Sequence, residues 1–196
     1  MHERNVVAVA LVLAVTAGCR SMETGGTDSW STSEALAAER IEMQVDDRGK
    51  TVELEYHVAP GIVPQAVRAA MDRLHPGGTA VDAEKEYVGG KLYWEITKEI
   101  GGRAVEAMFQ PDGTLYREEV EVSASEIPSA VQEAVRARLR GQVTKWEAIR
   151  DGERRVTEYH AKGTRDGKNY KVIAGLDGSV LAMVREVPAE IEVPVE

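Results

Sequence analysis

If this chain performs chemistry, it has few residues with which to do so. Glu158 and His160 stand two apart in an alternating segment, Val156 to Lys162. A strand there would put both on one face, where a carboxylate can orient an imidazole acting as a general base, and a hydrolase built on that pair is one reading. His57 and His75 fall in separate segments, and neither a His-x-x-x-His pair nor a Gly-x-Ser-x-Gly elbow occurs. His75 precedes Pro76-Gly77-Gly78 and reads as a helix C-terminal residue that suits the helix dipole. The carboxylate pairs Asp46-Asp47 and Glu118-Glu119 lack the ligand spacing of a calcium loop and read as solvated turns and edges. No glycine-rich phosphate loop is present. The expectation is a protein with no cofactor, no metal and no catalytic residues.

Cys19 is the single cysteine, and it follows an apolar run from Val6 to Ala17 that is shorter than the roughly 20 residues a spanning helix needs. Small residues stand directly before it, in Val15-Thr16-Ala17-Gly18-Cys19, a pattern that resembles the bacterial lipobox. The resemblance implies a signal peptide over residues 1–18, lipid on the Cys19 sulfur, and a membrane anchor. Each buried acyl CH₂ contributes about 0.8 kcal/mol, so several chains would hold the protein firmly at a membrane. Arg20 replaces the Asp associated with inner-membrane retention, so the expected location is the outer membrane facing the periplasm, or the cell surface. Residues 19–33, rich in Gly, Ser and Thr, read as a lipidated flexible tether.

A formal net charge of -9 argues against nucleic acid, whose phosphates require a basic surface. A hydrophobic content of 43% is sufficient for an ordinary core. With Cys19 as the anchor, the folded part contains neither a disulfide nor a thiolate metal site.

The elements that must position any site show an internal duplication. Val63-Pro64-Gln65-Ala66-Val67 aligns with Ile127-Pro128-Ser129-Ala130-Val131, Ala70 aligns with Ala134, and, after a slip of one residue, Asp112-Gly113 aligns with Asp177-Gly178. Each proline opens a short amphipathic helix. Alternating strands follow at Leu92 to Thr97, Val105 to Phe109 and Leu115 to Val122, and again at Val156 to Lys162, Tyr170 to Ala174 and Val180 to Val187. The organisation read from this is a β-hairpin over residues 34–58, a first unit over 59–122, a second over 123–188, and a tail over 189–196.

The proline-started helix, the strand carrying Trp94-Glu95 (Thr157-Glu158 in the second copy) and the closing Asp-Gly hairpin resemble the PepSY-like repeats of bacterial exported proteins, related in architecture to the β-lactamase-inhibitor protein. That resemblance implies an α+β fold of two tandem helix-plus-antiparallel-sheet repeats, with the helices packed on one sheet face. It also implies extracytoplasmic binding, in some members inhibition of a hydrolase or peptidase. The candidate binding face is the open side of the sheet: Tyr93 and Glu95 with Thr97, Glu158 and His160 with Val156, extended by Tyr116, Glu118 and Val120, or alternatively by Arg117 and Glu119. The expected partners are the membrane, through Cys19, and a protein or peptide of the envelope. A structural or assembly role is the alternative.

Overall fold

The computed structural model describes residues 31–45, 48–188 and 191–192. The signal segment, Cys19, nearly all of the tether and the Asp46-Asp47 pair lie outside these residues. No helix among the described residues is long and apolar enough to cross a membrane.

The strands are β1 (Arg40–Val45), β2 (Thr51–His57), β3 (Thr79–Val88), β4 (Lys91–Ile100), β5 (Arg103–Phe109), β6 (Leu115–Val122), β7 (Gln142–Asp151), β8 (Val156–Arg165), β9 (Lys168–Gly175) and β10 (Val180–Arg185); the helices are α1 (Thr32–Ala37), α2 (Gln65–Leu74) and α3 (Ser129–Leu139). All ten strands form one antiparallel sheet in sequential order. This overturns the expected α+β plan of two tandem helix-plus-sheet repeats, because the molecule is mostly β and has a single continuous sheet. The cause lies in β3 and β7, two strands that the pattern reading omitted. β7 pairs with β6 through Glu118↔Arg150 and Val120↔Ala148 and with β8 through Trp146↔Ala161, which fuses what would have been two sheets. β3 joins the N-terminal hairpin to β4.

α2 and α3 each start after a proline whose ring fixes φ near the required value, with Pro64 at -52° and Pro128 at -54°. Val67, Ala70 and Met71 of α2 recur at helical spacing and press on Leu54, Tyr56, Trp94, Ile96, Ala107 and Phe109. Val131, Val135 and Leu139 of α3 do the same over Trp146, Ala161, Val172 and Ala174. Each of these Val, Met and Leu side chains contributes about 1.5–3 kcal/mol on leaving water. Lys98 of β4 secures the end of α2: its Nζ donates to the carbonyls of His75 at 3.1 Å and Gly77 at 3.3 Å and meets Asp72 Oδ1 at 2.6 Å. His75 is the C-cap of α2, the placement its sequence context implied, and its Nε2 lies 2.6 Å from Glu118 Oε1.

The two Asp-Gly turns serve the helices. Asp112 Oδ1 accepts from Thr114 N at 2.8 Å and Asp177 Oδ1 from Ser179 N at 2.9 Å, closing equivalent Asx turns. Gly113 has φ +87°, and a Cβ on it would lie 2.7 Å from the Ala66 carbonyl oxygen; Gly178 has φ +85°, with Ala130 O at 3.0 Å. Each turn is therefore pressed against the first turn of its helix, where left-handed backbone and close approach both require glycine. Gly113→Val should lower stability by about 2–3 kcal/mol, read as a shift of the urea midpoint at unchanged m-value. A loss below about 1 kcal/mol would show that the turn can move away from α2 without consequence.

Candidate functional site

Alternation along each strand sends the core residues towards α2 and α3 and the intervening residues to the opposite, helix-free face. Register places these in cross-strand rows. One row runs Glu42, Glu55, Glu86, Tyr93; the next runs His57, Glu84, Glu95, Met108, Arg117. A third runs Thr97, Glu106, Glu119, Ile149, Glu158, and a fourth Glu121, Glu147, His160, Ile173.

Charged side chains on an uncovered sheet would ordinarily be exposed, yet Glu86 is 2%, Glu95 6%, Glu147 1% and His160 4% exposed. Curvature accounts for this. Lys162 of β8 acts electrostatically on Glu42 of β1, and Lys171 of β9 on Glu55 of β2. In a flat sheet the seven strand spacings from β1 to β8 would separate the first pair by roughly 34 Å, beyond the reach of such an interaction. The sheet is therefore curled with its helix-free side concave, and the charged rows cover one another.

The concave floor is electrically divided. Around β7 and β8 the charges are paired: Lys145 Nζ lies 2.7 Å and Lys162 Nζ 3.2 Å from Glu147 Oε1. Burial pushes the Glu147 carboxyl up, but the two lysines outweigh it and hold the group below the usual carboxylate range. His160 Nε2 meets Glu158 Oε1 at 3.0 Å, and this hydrogen bond lowers the Glu158 carboxyl against its partial burial. Around β2, β3 and β4 the balance reverses. Burial first, and then the neighbouring carboxylates Glu53 and Glu42, raise Glu55 to about 7. Glu84 rises to about 8 by burial, with His57 pulling it down and Glu55 and Asp82 pushing it up. Glu86 and Glu95 are raised by burial above all. Arg117, with Nη2 3.1 Å from Glu119 Oε1 and 4.0 Å from Glu95 Oε2, stands between the two halves. His57 is enclosed at the β1 side, its Nδ1 3.0 Å from Asp82 Oδ2 and its Nε2 3.3 Å from Glu42 Oε1.

The structure brings five of the six candidate face residues to this concave side. Tyr93 is buried there, with its ring centroid 4.4 Å from that of Tyr116, which is 41% exposed. Glu95, Glu158 and His160 share the floor. Glu118 does not: it is fully buried on the helix side, paired with His75, Arg150 and Arg154. The register slip opposite Leu115, Tyr116 and Arg117 changes the parity of β6, so Arg117 and Glu119 take the concave positions. His160 pairs with Glu158 as its spacing suggested, but from within the floor and not from solvent. The residues that sequence reasoning missed are Glu55, Glu84, Glu86, Glu147 and Lys162. Their signal was present in Glu53-x-Glu55 and Asp82-x-Glu84-x-Glu86, carboxylates repeating at the period of a strand.

No family model matches this chain, and neither does any curated protein sequence. Solved structures do. A Bacteroides eggerthii protein described as "putative periplasmic" superposes with a TM-score of 0.52 at 19% identity, over 66% of this chain and 93% of its own. A DUF2874 family protein from Bacteroides uniformis gives 0.50 at 15% identity, over 62% and 88% of the two chains. A BLIP-like protein from Bacteroides fragilis gives 0.48 at 21% identity, over 65% and 89%. At these identities the first two similarities establish a shared fold and no more.

Proposed function

We propose that the chain is an exported binding protein, anchored through Cys19, whose concave sheet face docks a protein or peptide of the envelope without transforming it. One observation carries this reading: among the described residues no helix covers one face of the sheet, where the Tyr93 and Tyr116 rings lie 4.4 Å apart beside a floor of buried charges. Aromatic rings next to pre-positioned charge are what recognition surfaces use, because little side-chain entropy remains to be lost on binding. The carboxylate surplus selects a partner segment bearing Lys or Arg. The extracytoplasmic part of the reading is supported by the periplasmic description of the Bacteroides eggerthii protein and by the lipobox-like segment. A hydrolase reading draws on the 3.0 Å His160–Glu158 contact, but 4% exposure keeps that imidazole away from a substrate proton.

A photo-crosslinking residue at Tyr116 should yield a defined adduct in envelope extract, diminished by salt, while the same residue at Arg136 on the outer side of α3 should not. Tyr93→Ala/Tyr116→Ala should lose the partner in a pull-down. Identical partner sets for the wild type and the double variant would rule out this face.

A further inference from the structure

The concave floor contains one group of side chains whose charge the protein balances only at its edge, where His57 Nδ1 lies 3.3 Å from Glu84 Oε1. Glu84, Glu86 and Glu95 offer carboxylate oxygens that lie within 4.8 Å of one another, and Glu86 also belongs to a second such group with Glu53 and Glu55. The five come from three adjacent strands, β2, β3 and β4, and point to the same side. Glu86 and Glu95 are 2% and 6% exposed, and each has an Oε2 that accepts no hydrogen bond. Orphaned oxygens this deeply buried require a counter-charge, since each forfeits its hydration without a partner in return. Arg117 Nη2 is 4.0 Å from Glu95 Oε2 and is engaged at 3.1 Å by Glu119.

The other convergent groups differ on this point. Glu147, in the group with Glu119 and His160, already holds Lys145 and Lys162. His57, in the groups with Glu42 and with Asp82 and Glu84, has Arg40 Nη2 2.9 Å from its Nε2.

We infer that Glu84, Glu86 and Glu95 form a divalent-cation site, flanked by Glu53 and Glu55, and that its ion is calcium. Carboxylates alone make a hard donor set, which excludes the softer transition metals that prefer imidazole and thiolate. Magnesium keeps several of its waters and demands near-ideal octahedral geometry, whereas calcium accepts many carboxylate oxygens in irregular arrangement. Five carboxylates crowded on three adjacent strands suit the second better than the first. Calcium also suits the setting, because extracellular modules work at 10⁻⁴–10⁻³ M affinity, about the level such a site requires.

The test uses the full chain, stripped with EDTA and held at pH 8. Calcium chloride at several millimolar should raise the thermal midpoint by about 5 °C, and magnesium chloride by much less. Terbium should give sensitised emission through Tyr93, the register partner of Glu86, and calcium should quench it by displacement. Glu86→Gln removes one of the repelling carboxylates, so the variant should melt above the wild type in EDTA and show neither the calcium response nor the emission. A wild type with no calcium shift and no emission would overturn the site and leave protons as the counter-charge. An undiminished calcium response in Glu86→Gln/Glu95→Gln would place the ion elsewhere, and equal shifts with magnesium would overturn the choice of calcium.

Discussion

Replacing Arg117 by Met should lower the stability of the domain by about 3–5 kcal/mol at pH 8, and by much less at pH 5. The guanidinium is the cation the acidic half of the floor shares: it touches Glu119, lies 4.0 Å from Glu95 and acts on Glu86 and Glu53. Burial disfavours its charge, but these carboxylates outweigh the burial and hold the proton more firmly than in a free arginine. Without it, Glu86, Glu95 and Glu119 face one another across a low-dielectric space with no compensation. Met keeps the apolar stem, so the loss reports the charge and not the packing. At pH 5 the orphaned carboxyls can take up protons, which removes most of the repulsion. Urea unfolding at the two pH values measures the difference. Equal losses at both, or a loss under about 1 kcal/mol at pH 8, would show that Arg117 is not the balancing charge.

The second expectation concerns the unaltered protein, whose stability should peak near pH 5 and decline by several kcal/mol towards pH 9, by order of magnitude. Glu55 and Glu84 titrate at about 7 and about 8 in the fold, against 4.5 in the unfolded chain. A carboxyl raised in this way contributes stability that is complete below 4.5 and lost as pH climbs through its folded value. His57 works in the same direction: burial pulls it down, but Glu42, Glu84 and Asp82 outweigh this and raise it, so its contribution also fades as pH rises. Glu147 and Glu158 are lowered, and their contribution is present above the ordinary 4.5 and lost only as pH falls below it. The peak lies between the two sets. Chemical unfolding from pH 4 to pH 9 without divalent ions checks it; a profile flat from pH 6 to pH 9 would contradict the proton-holding half of the floor.

Much of the local structure was legible in the sequence. Pro64 and Pro128 marked α2 and α3, and Asp-Gly turns and period-two runs located eight strands, while α1 fell across the segments read as tether and hairpin. β3 and β7 escaped because their patterns do not look half-buried. In Thr79–Val88 the positions facing the concavity are Asp82, Glu84 and Glu86, residues of low strand propensity at which an apolar run would have been expected. In Gln142–Asp151 the apolar residues Val143, Trp146, Ala148 and Ile149 do not alternate, and Lys145, Glu147 and Arg150 stand among them. Losing those two strands lost the continuity of the sheet, and with it the fold class. Glu118 was misplaced for a different reason: parity counting assumes an unbroken register, and the slip in β6 depends on pairing with β5, which no single strand reveals. The curl that turns an open face into a buried floor is a property of all ten strands together and leaves no local trace.

The sequential strand order also bears on how the chain reaches this state. Every strand finds its neighbour in the segment made just before or just after it, and none waits for a distant partner. A chain delivered N-terminus first can extend its sheet hairpin by hairpin as it arrives, so each new edge is covered by the next strand to emerge. Assembly by such growth keeps the unpaired edge short-lived, which protects a β-rich molecule from pairing with its own copies while it is still incomplete.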